Sequence, residues 1–144
     1  MAGMNKVHQV QFSIVVPCYN AGETILPCLE ALSRQSLERE TYEVIVVDDG
    51  STDRTAAIAK SKCDILLRIP NSGPAAARNR GARAASGNII LFTDSDCVPC
   101  TDWLEKMTVP FADPEIQGTK GTYRTRQIEA VARFVQAEYE YKYR

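Results

Sequence analysis

The chain has 144 residues, of which 44% are hydrophobic and 24% charged, the composition of one ordinary globular domain. Its 17 basic and 18 acidic residues give a net charge of −1, which argues against a nucleic-acid surface. No apolar stretch approaches the ~18 residues of a membrane span, and no secretory leader pattern opens the sequence. We therefore expect a cytoplasmic protein, with membrane association of a longer form left open.

Four short β-branched, apolar runs predict strands after a loose lead-in over residues 1–11. The runs are Phe12–Val16, Glu43–Val47, Ile65–Ile69 and Ile89–Phe92. Helix-like segments separate them, which is typical of parallel strands joined by crossover helices. Because ligands of such sheets bind beyond the carboxyl ends of the strands, we expect the polar residues that follow each run to converge on one site.

Helical periodicity and cap residues predict five helices and one further strand. In chain order they are a helix from Glu23 to about Arg34, one through Ala56–Ala59, one at Pro74–Ala85, one at Trp103–Phe111, a strand at Gly118–Tyr123 and a helix from about Arg126. The last helix keeps its apolar period up to Arg144 without a stop signal. We expect its uncovered apolar face to favour self-association.

Paired carboxylates follow the fourth predicted strand. Asp94 and Asp96 are two residues apart, so in extended chain their side chains point the same way, with Cα atoms about 6.6 Å apart at ~3.3 Å per residue. Mg²⁺ and Mn²⁺ at phosphate sites commonly use one or two protein carboxylates. An Asp-x-Asp is usually solvated charge on a surface loop, but its place beside other strand ends favours a cation or sugar-hydroxyl site.

Two more acidic residues and an aromatic residue follow the first two strands. Asp48 or Asp49 can cap the next helix, although Asp53 can do that unaided. Two further carboxylates at one strand end need a donor, and the imide N–H of a base such as uracil is one. Tyr19 offers a flat face for stacking, and Pro17 fixes the backbone as it leaves the strand.

The residues that precede the third predicted helix form a candidate anion site. Asn71, Ser72 and Gly73 precede it with backbone N–H groups that can face an anion, and Arg78 lies one turn in. The eight glycines form neither G-x-G-x-x-G nor a phosphate loop ending in Gly-Lys. Dinucleotide oxidoreductases and phosphate-loop NTPases are therefore disfavoured.

The five cysteines are an odd number without framework spacing, and we expect reduced thiols. Cys97 and Cys100 have the spacing of a redox pair between a strand and a helix, which is a weaker alternative. Zinc is disfavoured because no second ligand pair exists.

Four motifs, in this order, resemble those of family 2 glycosyltransferases. They are Ser13-Ile-Val-Val-Pro-Cys-Tyr-Asn20, Val47-Asp-Asp-Gly-Ser-Thr-Asp53, Asn71-x-Gly-x-x-x-Ala-Arg-Asn-x-Gly81 and Asp94-Ser-Asp96. The resemblance covers nearly the whole chain and implies an α/β, Rossmann-like nucleotide-binding half of a GT-A fold, with a mostly parallel sheet flanked by helices. It implies that residues 12–144 bind a nucleotide-sugar donor, with a UDP-sugar favoured, and Mg²⁺ or Mn²⁺. Transfer would proceed with inversion to an unidentified glycan, lipid or protein, as in polysaccharide or glycan biosynthesis.

Carried over by position, the resemblance assigns two groups of residues. The group expected to bind the nucleotide sugar is Pro17, Tyr19, Asp49, Asn71, Arg78, Asp94 and Ser95. The metal ligands would be Asp96 and Asp94. In the first group, Asp49 would bind the imide of the base, and Asp94 would approach the ribose or the metal.

The family's general base usually lies well downstream of the Asp-x-Asp, in an acceptor half that this sequence lacks. We therefore expect a truncated catalytic domain, and two alternatives to a working transferase stay open. One is a nucleotide-sugar-binding fragment without transfer activity. The other is a glycoside hydrolase with Asp94 and Asp96 as its acid pair, which leaves Tyr19 and Asp49 unexplained.

Overall fold

Four parallel strands form the core of the protein. In a computed structural model that describes residues 9–124, the strands are β1 Phe12–Cys18, β2 Tyr42–Asp48, β3 Ile65–Arg68 and β4 Ile89–Phe92. Their order in the sheet is β3-β2-β1-β4, and every pair is parallel. All four strands were predicted from the sequence: the bounds of β4 agree, and those of the other three differ by at most two residues.

Three helices connect these strands, and a fourth follows β4 among the described residues. They are α1 Ile25–Leu32, α2 Thr55–Lys60, α3 Pro74–Ala84 and α4 Trp103–Thr108, with 3₁₀ turns at Arg39–Thr41 and Val109–Ala112. The first two crossovers step in one direction along the sheet, and the third steps back past β1 to β4. Since such crossovers are right-handed, α1 and α2 lie on one face and α3 on the other. The strand order thus reverses beside β1 and β4, where ligands bind in sheets of this kind.

Both faces of the two central strands are buried, which explains why they read as unbroken apolar runs. Val15, Ile45, Val47 and Ala77 form one fully buried cluster, in which α3 covers β1 and β2. On the same strands, Ile14, Val16, Val44 and Val46 point to the opposite face and are also buried.

Pro17 lies inside β1, paired with Val47, and not at its exit as expected. A strand interior tolerates proline only where one side is unpaired. That condition is met here, because β4 pairs with β1 only as far as Val15.

The described residues divide into two compact units, one up to Lys106 and one from Met107 onwards. In the second unit, the Thr119 hydroxyl donates to the Met107 carbonyl at 2.9 Å. The strand expected at Gly118–Tyr123 is wrong, because these residues are irregular and pair with none of the described strands. A strand is stable only with a hydrogen-bonded neighbour, and the two glycines add no side chain to pack. The helix expected from about Arg126 lies outside the described residues, as does the self-association assigned to it.

We expect Gly81→Ala to destabilise the fold by about 1–2 kcal/mol, because α3 packs on the sheet through this glycine. A Cβ there would lie 2.3 Å from Cγ1 of Val15 and 3.1 Å from Cγ2 of Val47, and both side chains are fully buried. A contact as short as 2.3 Å should cost about 2–3 kcal/mol, the upper part of the usual range for overpacking, whereas alanine regains only ~1 kcal/mol of helix propensity. Urea unfolding measures the difference. Gly118→Ala is the control, since no atom lies within 4 Å of a Cβ at that position. If Gly81→Ala is as stable as the native protein, α3 does not pack on the sheet through Gly81.

The buried carboxylate of Glu43 links the first residues of β1 and β2 to the residues before β4. Oε1 of Glu43 accepts hydrogen bonds from the Ser13 hydroxyl at 2.6 Å and from the Ser86 N–H and hydroxyl, each at 2.7 Å. Burial raises the pKa of Glu43, but the hydrogen bonds from Ser13 and Ser86 outweigh burial and leave the pKa below its usual range. The ionised side chain therefore joins β1, β2 and the approach to β4.

This lowered pKa predicts an acid-dependent loss of stability. A carboxyl whose pKa is lower in the folded state stabilises the fold above its unfolded pKa of ~4.3, and the contribution is lost as the pH falls through the folded pKa. Glu43→Gln should be less stable by about 1 kcal/mol at pH 7, the scale of one hydrogen bond. It should also show a shallower decline below pH ~4.3, measured by urea unfolding across pH. If the free energy of unfolding falls in parallel for the two proteins as the pH is lowered, the carboxylate of Glu43 does not stabilise the fold in its ionised form.

Candidate functional site

A cleft of about 650 Å³ opens beyond the carboxyl ends of the strands. It lies at the reversal of strand order, so the topology alone explains why distant motifs meet there. The structure places all eight sequence-predicted site residues in its lining: Pro17, Tyr19, Asp49, Asn71, Arg78, Asp94, Ser95 and Asp96. The expected convergence of strand ends is therefore present.

The β1–α1 loop carries the aromatic side of the cleft. Tyr19 is 53% exposed, so its ring is open to a stacking partner. The next residue, Asn20, has a φ of 48°, a left-handed conformation that asparagine tolerates. Its N–H donates to the Ser51 hydroxyl at 2.9 Å, and its side-chain oxygen accepts from the Thr52 N–H at 2.9 Å. These bonds fix the loop that presents Tyr19.

The two carboxylates at the end of β2, Asp48 and Asp49, accept hydrogen bonds from other residues of the protein. Asp48 is fully buried and accepts from the Ser51 N–H and from Nε of Arg68, both at 3.0 Å. Asp49 accepts from the N–H groups of Ser72 at 2.7 Å and Gly73 at 2.8 Å. The expectation that these carboxylates require a ligand as donor is therefore wrong.

The same hydrogen bonds correct a second expectation. The N–H groups before α3 were expected to face an anion, but those of Ser72 and Gly73 are donated to Asp49. Asp49 thus ties the start of α3 to the end of β2. Gly50 is required beside it, because its φ is +80° and a Cβ there would lie 2.9 Å from the Asn71 nitrogen.

One arginine of α3 faces the cleft. Nη2 of Arg78 donates to Oδ1 of Asp94 at 2.6 Å, with both side chains about half exposed. The pair leaves the second carboxylate oxygen of Asp94 without a described ion-pair partner. Arg78 offsets one of the two negative charges that this end of the cleft would otherwise carry.

Asp94 and Asp96 come together through a turn. The sequence predicted extended chain here, but β4 ends at Phe92 and the Cys97 N–H donates to the Asp94 carbonyl at 3.1 Å, with Ser95 and Asp96 at the turn's centre. The turn folds the carboxylates toward each other and adds a thiol. Ligand atoms of Asp94, Asp96 and Cys97 all lie within 4.8 Å of one another. Oxygen and sulfur ligands at this separation are compatible with one divalent cation.

Sequence reasoning missed several lining residues and misjudged one. The residues missed are Cys18, Asn20, Ala21, Thr24, Pro74 and Ala77, which lie within or beside the predicted motifs. Proximity to those motifs was the available signal. Cys97 was considered only as half of a redox pair with Cys100. Both thiols are free, and their pKa values are raised, Cys97 chiefly by burial and Cys100 chiefly by its hydrogen bond with Asp102, which argues against a reactive thiolate.

An open parallel sheet with a cleft at its reversal of strand order defines a Rossmann-like α/β domain. The chain belongs to glycosyltransferase family 2: residues 13–143 match the family described as "Glycosyl transferase family 2". The curated protein "Glycosyltransferase AglE" of Haloferax volcanii is 41% identical over 100 residues, which are 65% of this chain and 33% of that protein.

Solved structures show the same fold. Glucosyl-3-phosphoglycerate synthase from Mycobacterium tuberculosis, in complex with UDP, has a TM-score of 0.68 and 31% identity over 90% of this chain and 50% of that one. The mannosyltransferase PcManGT from Pyrobaculum calidifontis, in complex with GDP-Man and Mn²⁺, has a TM-score of 0.66 and 30% identity over 74% of this chain and 33% of that one. The sheet and its helices are thus the Rossmann-like part of a GT-A fold.

The chain spans only a third to a half of the length of these proteins. Among residues 9–124, no helix has the length and apolar character needed to cross a bilayer.

Proposed function

We propose that this chain is the donor-binding part of a metal-dependent, inverting glycosyltransferase that uses a nucleotide-sugar donor, with a UDP-sugar favoured. The observation that carries the proposal is the meeting of an aromatic face, a strand-end carboxylate and the Asp94–Cys97 turn in one cleft. The UDP and GDP-Man complexes of the two structural relatives support a nucleotide ligand at this part of the fold.

The base end of the donor would lie against Pro17 and Tyr19. Asp49 is only 4% exposed yet lines the cleft, and each of its carboxylate oxygens accepts one described backbone N–H. A carboxylate has about four lone-pair sites, so it keeps capacity for an imide N–H. The two backbone hydrogen bonds also hold the carboxylate in place before a ligand arrives. Asn71, Arg78 and Ser95 would line the nucleoside and sugar between the two ends.

Asp94 and Asp96 would hold Mg²⁺ or Mn²⁺. The donor set fits, because two carboxylates suffice where phosphates supply the remaining ligands. The cation would neutralise the diphosphate leaving group. Arg78, already paired with Asp94, would keep that carboxylate oriented.

Transfer needs a base on the sugar face opposite the diphosphate. The acidic side chains in the described lining of the cleft are Asp49, Asp94 and Asp96, and all three are assigned to the nucleotide or the cation. We therefore propose that the base belongs to residues beyond the described cleft. A donor-binding fragment without transfer is the second candidate function.

A glycoside hydrolase fits less well. The acid pair of a retaining hydrolase is ~5–5.5 Å apart and that of an inverting one ~6.5–9.5 Å apart, so that the sugar lies between them. Here the carboxylate ligand atoms lie within 4.8 Å of each other, and Asp94 is paired with Arg78. This spacing favours a shared cation.

The test is titration calorimetry of the 144-residue protein with UDP and GDP, in Mn²⁺ and in chelator, followed by assays of sugar transfer from UDP-sugars and of glycoside hydrolysis. We expect nucleotide binding that depends on Mn²⁺ and little or no turnover. Binding with efficient transfer would overturn the assignment of the base. Glycoside hydrolysis without nucleotide affinity would overturn the proposal as a whole.

A further inference from the structure

Cys97 belongs to the same turn as the two aspartates. Its N–H closes the turn on the Asp94 carbonyl, which directs its thiol toward the carboxylates. The thiol lies 3.7 Å from Oδ1 of Asp96 and is half-buried. It is the one sulfur in the described cluster that also contains Asp94 and Asp96.

We propose that Cys97 is a third protein ligand of the cation bound by Asp94 and Asp96, and that it makes the site select thiophilic cations such as Zn²⁺ and Co²⁺ over Mg²⁺. The inference rests on the proposed function, from which it takes a cation at this turn. It adds a residue and a selectivity that the paired carboxylates alone do not imply.

The separation of Asp96 and Cys97 matches that of two ligands of a tetrahedral cation. A tetrahedral cation with a metal–oxygen distance of ~2.1 Å and a metal–sulfur distance of ~2.3 Å holds the oxygen and the sulfur about 3.6 Å apart. The separation between Asp96 Oδ1 and Cys97 Sγ is 3.7 Å. A cation can therefore bridge these two atoms with almost no movement of the turn.

The selectivity follows from the chemistry of the three groups. Mg²⁺ takes oxygen ligands in a near-octahedral shell, whereas Zn²⁺ and Co²⁺ accept thiolate and carboxylate together. Binding forms a metal–sulfur bond and releases the thiol proton to solvent, so no oxidant or reductant takes part. Arg78 offsets the charge of Asp94, which leaves a site of moderate negative charge for a divalent ion.

The test is a Co²⁺ titration followed by ultraviolet–visible absorption, which detects cobalt–thiolate charge transfer directly. We expect the band in the native protein and in Cys100→Ser, a matched variant of an exposed thiol three residues away. We expect no band in Cys97→Ser. Zn²⁺ affinity in Cys97→Ser should fall by at least the ~10-fold that loss of an outer-shell partner costs, with Mg²⁺ affinity unchanged.

A second readout uses the native chain alone. Zn²⁺ should protect Cys97, but not Cys100, from alkylation by iodoacetamide, as counted by mass spectrometry of the two sites. Absence of the band, its persistence in Cys97→Ser, or equal alkylation of Cys97 with and without Zn²⁺ would overturn the inference. If UDP still bound with Mn²⁺ in that case, the proposed function would stand without Cys97. If the evidence for Cys97 ligation and the binding of UDP with Mn²⁺ were both absent, the proposed function itself would be wrong.

Discussion

Asp96→Ala should abolish the metal-dependent part of UDP binding and leave the fold intact. Asp96 is exposed at the centre of the turn, and among residues 9–124 the one hydrogen-bond donor to its side chain is the thiol of Cys97. Removing the side chain breaks no described hydrogen bond to the sheet, but it takes a ligand from the candidate cation site. We expect UDP affinity in Mn²⁺ to fall by at least ~10–100-fold, to its value in chelator. Titration calorimetry measures both.

Asp102→Ala is the matched control for this prediction. Asp102 is an exposed aspartate six residues away, paired with Lys106 at 2.5 Å and absent from the lining of the cleft. Its loss should leave UDP affinity unchanged, because exposed ion pairs contribute little. Equal affinities in Asp96→Ala and Asp102→Ala would show that Asp96 holds no cation.

Asp49→Asn should lower both stability and UDP affinity. The carboxylate accepts from two backbone N–H groups, and an amide can replace only one oxygen. A lost hydrogen bond to a charged group costs about 1.5–3 kcal/mol, and the imide of the base would lose its acceptor as well. Urea unfolding and titration calorimetry on the same protein give the two quantities separately.

Asp48→Asn separates the two effects. Asp48 also ends β2, also binds a backbone N–H and is fully buried, but it is not in the lining of the cleft. Its substitution should lower stability through the loss of its ion pair with Arg68, with UDP affinity unchanged. If both variants bind UDP with the affinity of the native protein, Asp49 does not bind the base and serves only to connect the start of α3 to the end of β2.

The sequence predicted the sheet well because its central strands carry an unambiguous pattern. Residues Val44–Val47 are buried on both faces, so they read as a continuous apolar run that ends at Asp48. Parallel pairing then forces the strand ends together, which is why Tyr19, Asp49 and Asp96 could be placed in one cleft.

Two of the errors arise from contacts between residues that are distant in the sequence. The N–H groups that satisfy Asp49 lie 23 and 24 residues further along the chain, and nothing local marks them as donors. The partner of Asp94 likewise lies on α3, 16 residues earlier. The turn at Asp94–Cys97 was missed because the alternation of a strand was carried past Phe92, where the strand ends. The hydrogen bonds to Asp49 and Asp94 fix the side chains of the site, whereas the apolar pattern of the strands predicts only the position of the site in the fold.

The most direct test of a metal–nucleotide site in this cleft is an NMR titration of the isotope-labelled chain with UDP and Mn²⁺. We predict that Mn²⁺ broadens the backbone signals of the Asp94–Cys97 turn first, and that UDP then shifts those of Tyr19, Asn71 and Gly73. Broadening centred elsewhere among the described residues, or UDP with Mn²⁺ leaving the cleft signals unmoved, would contradict the account.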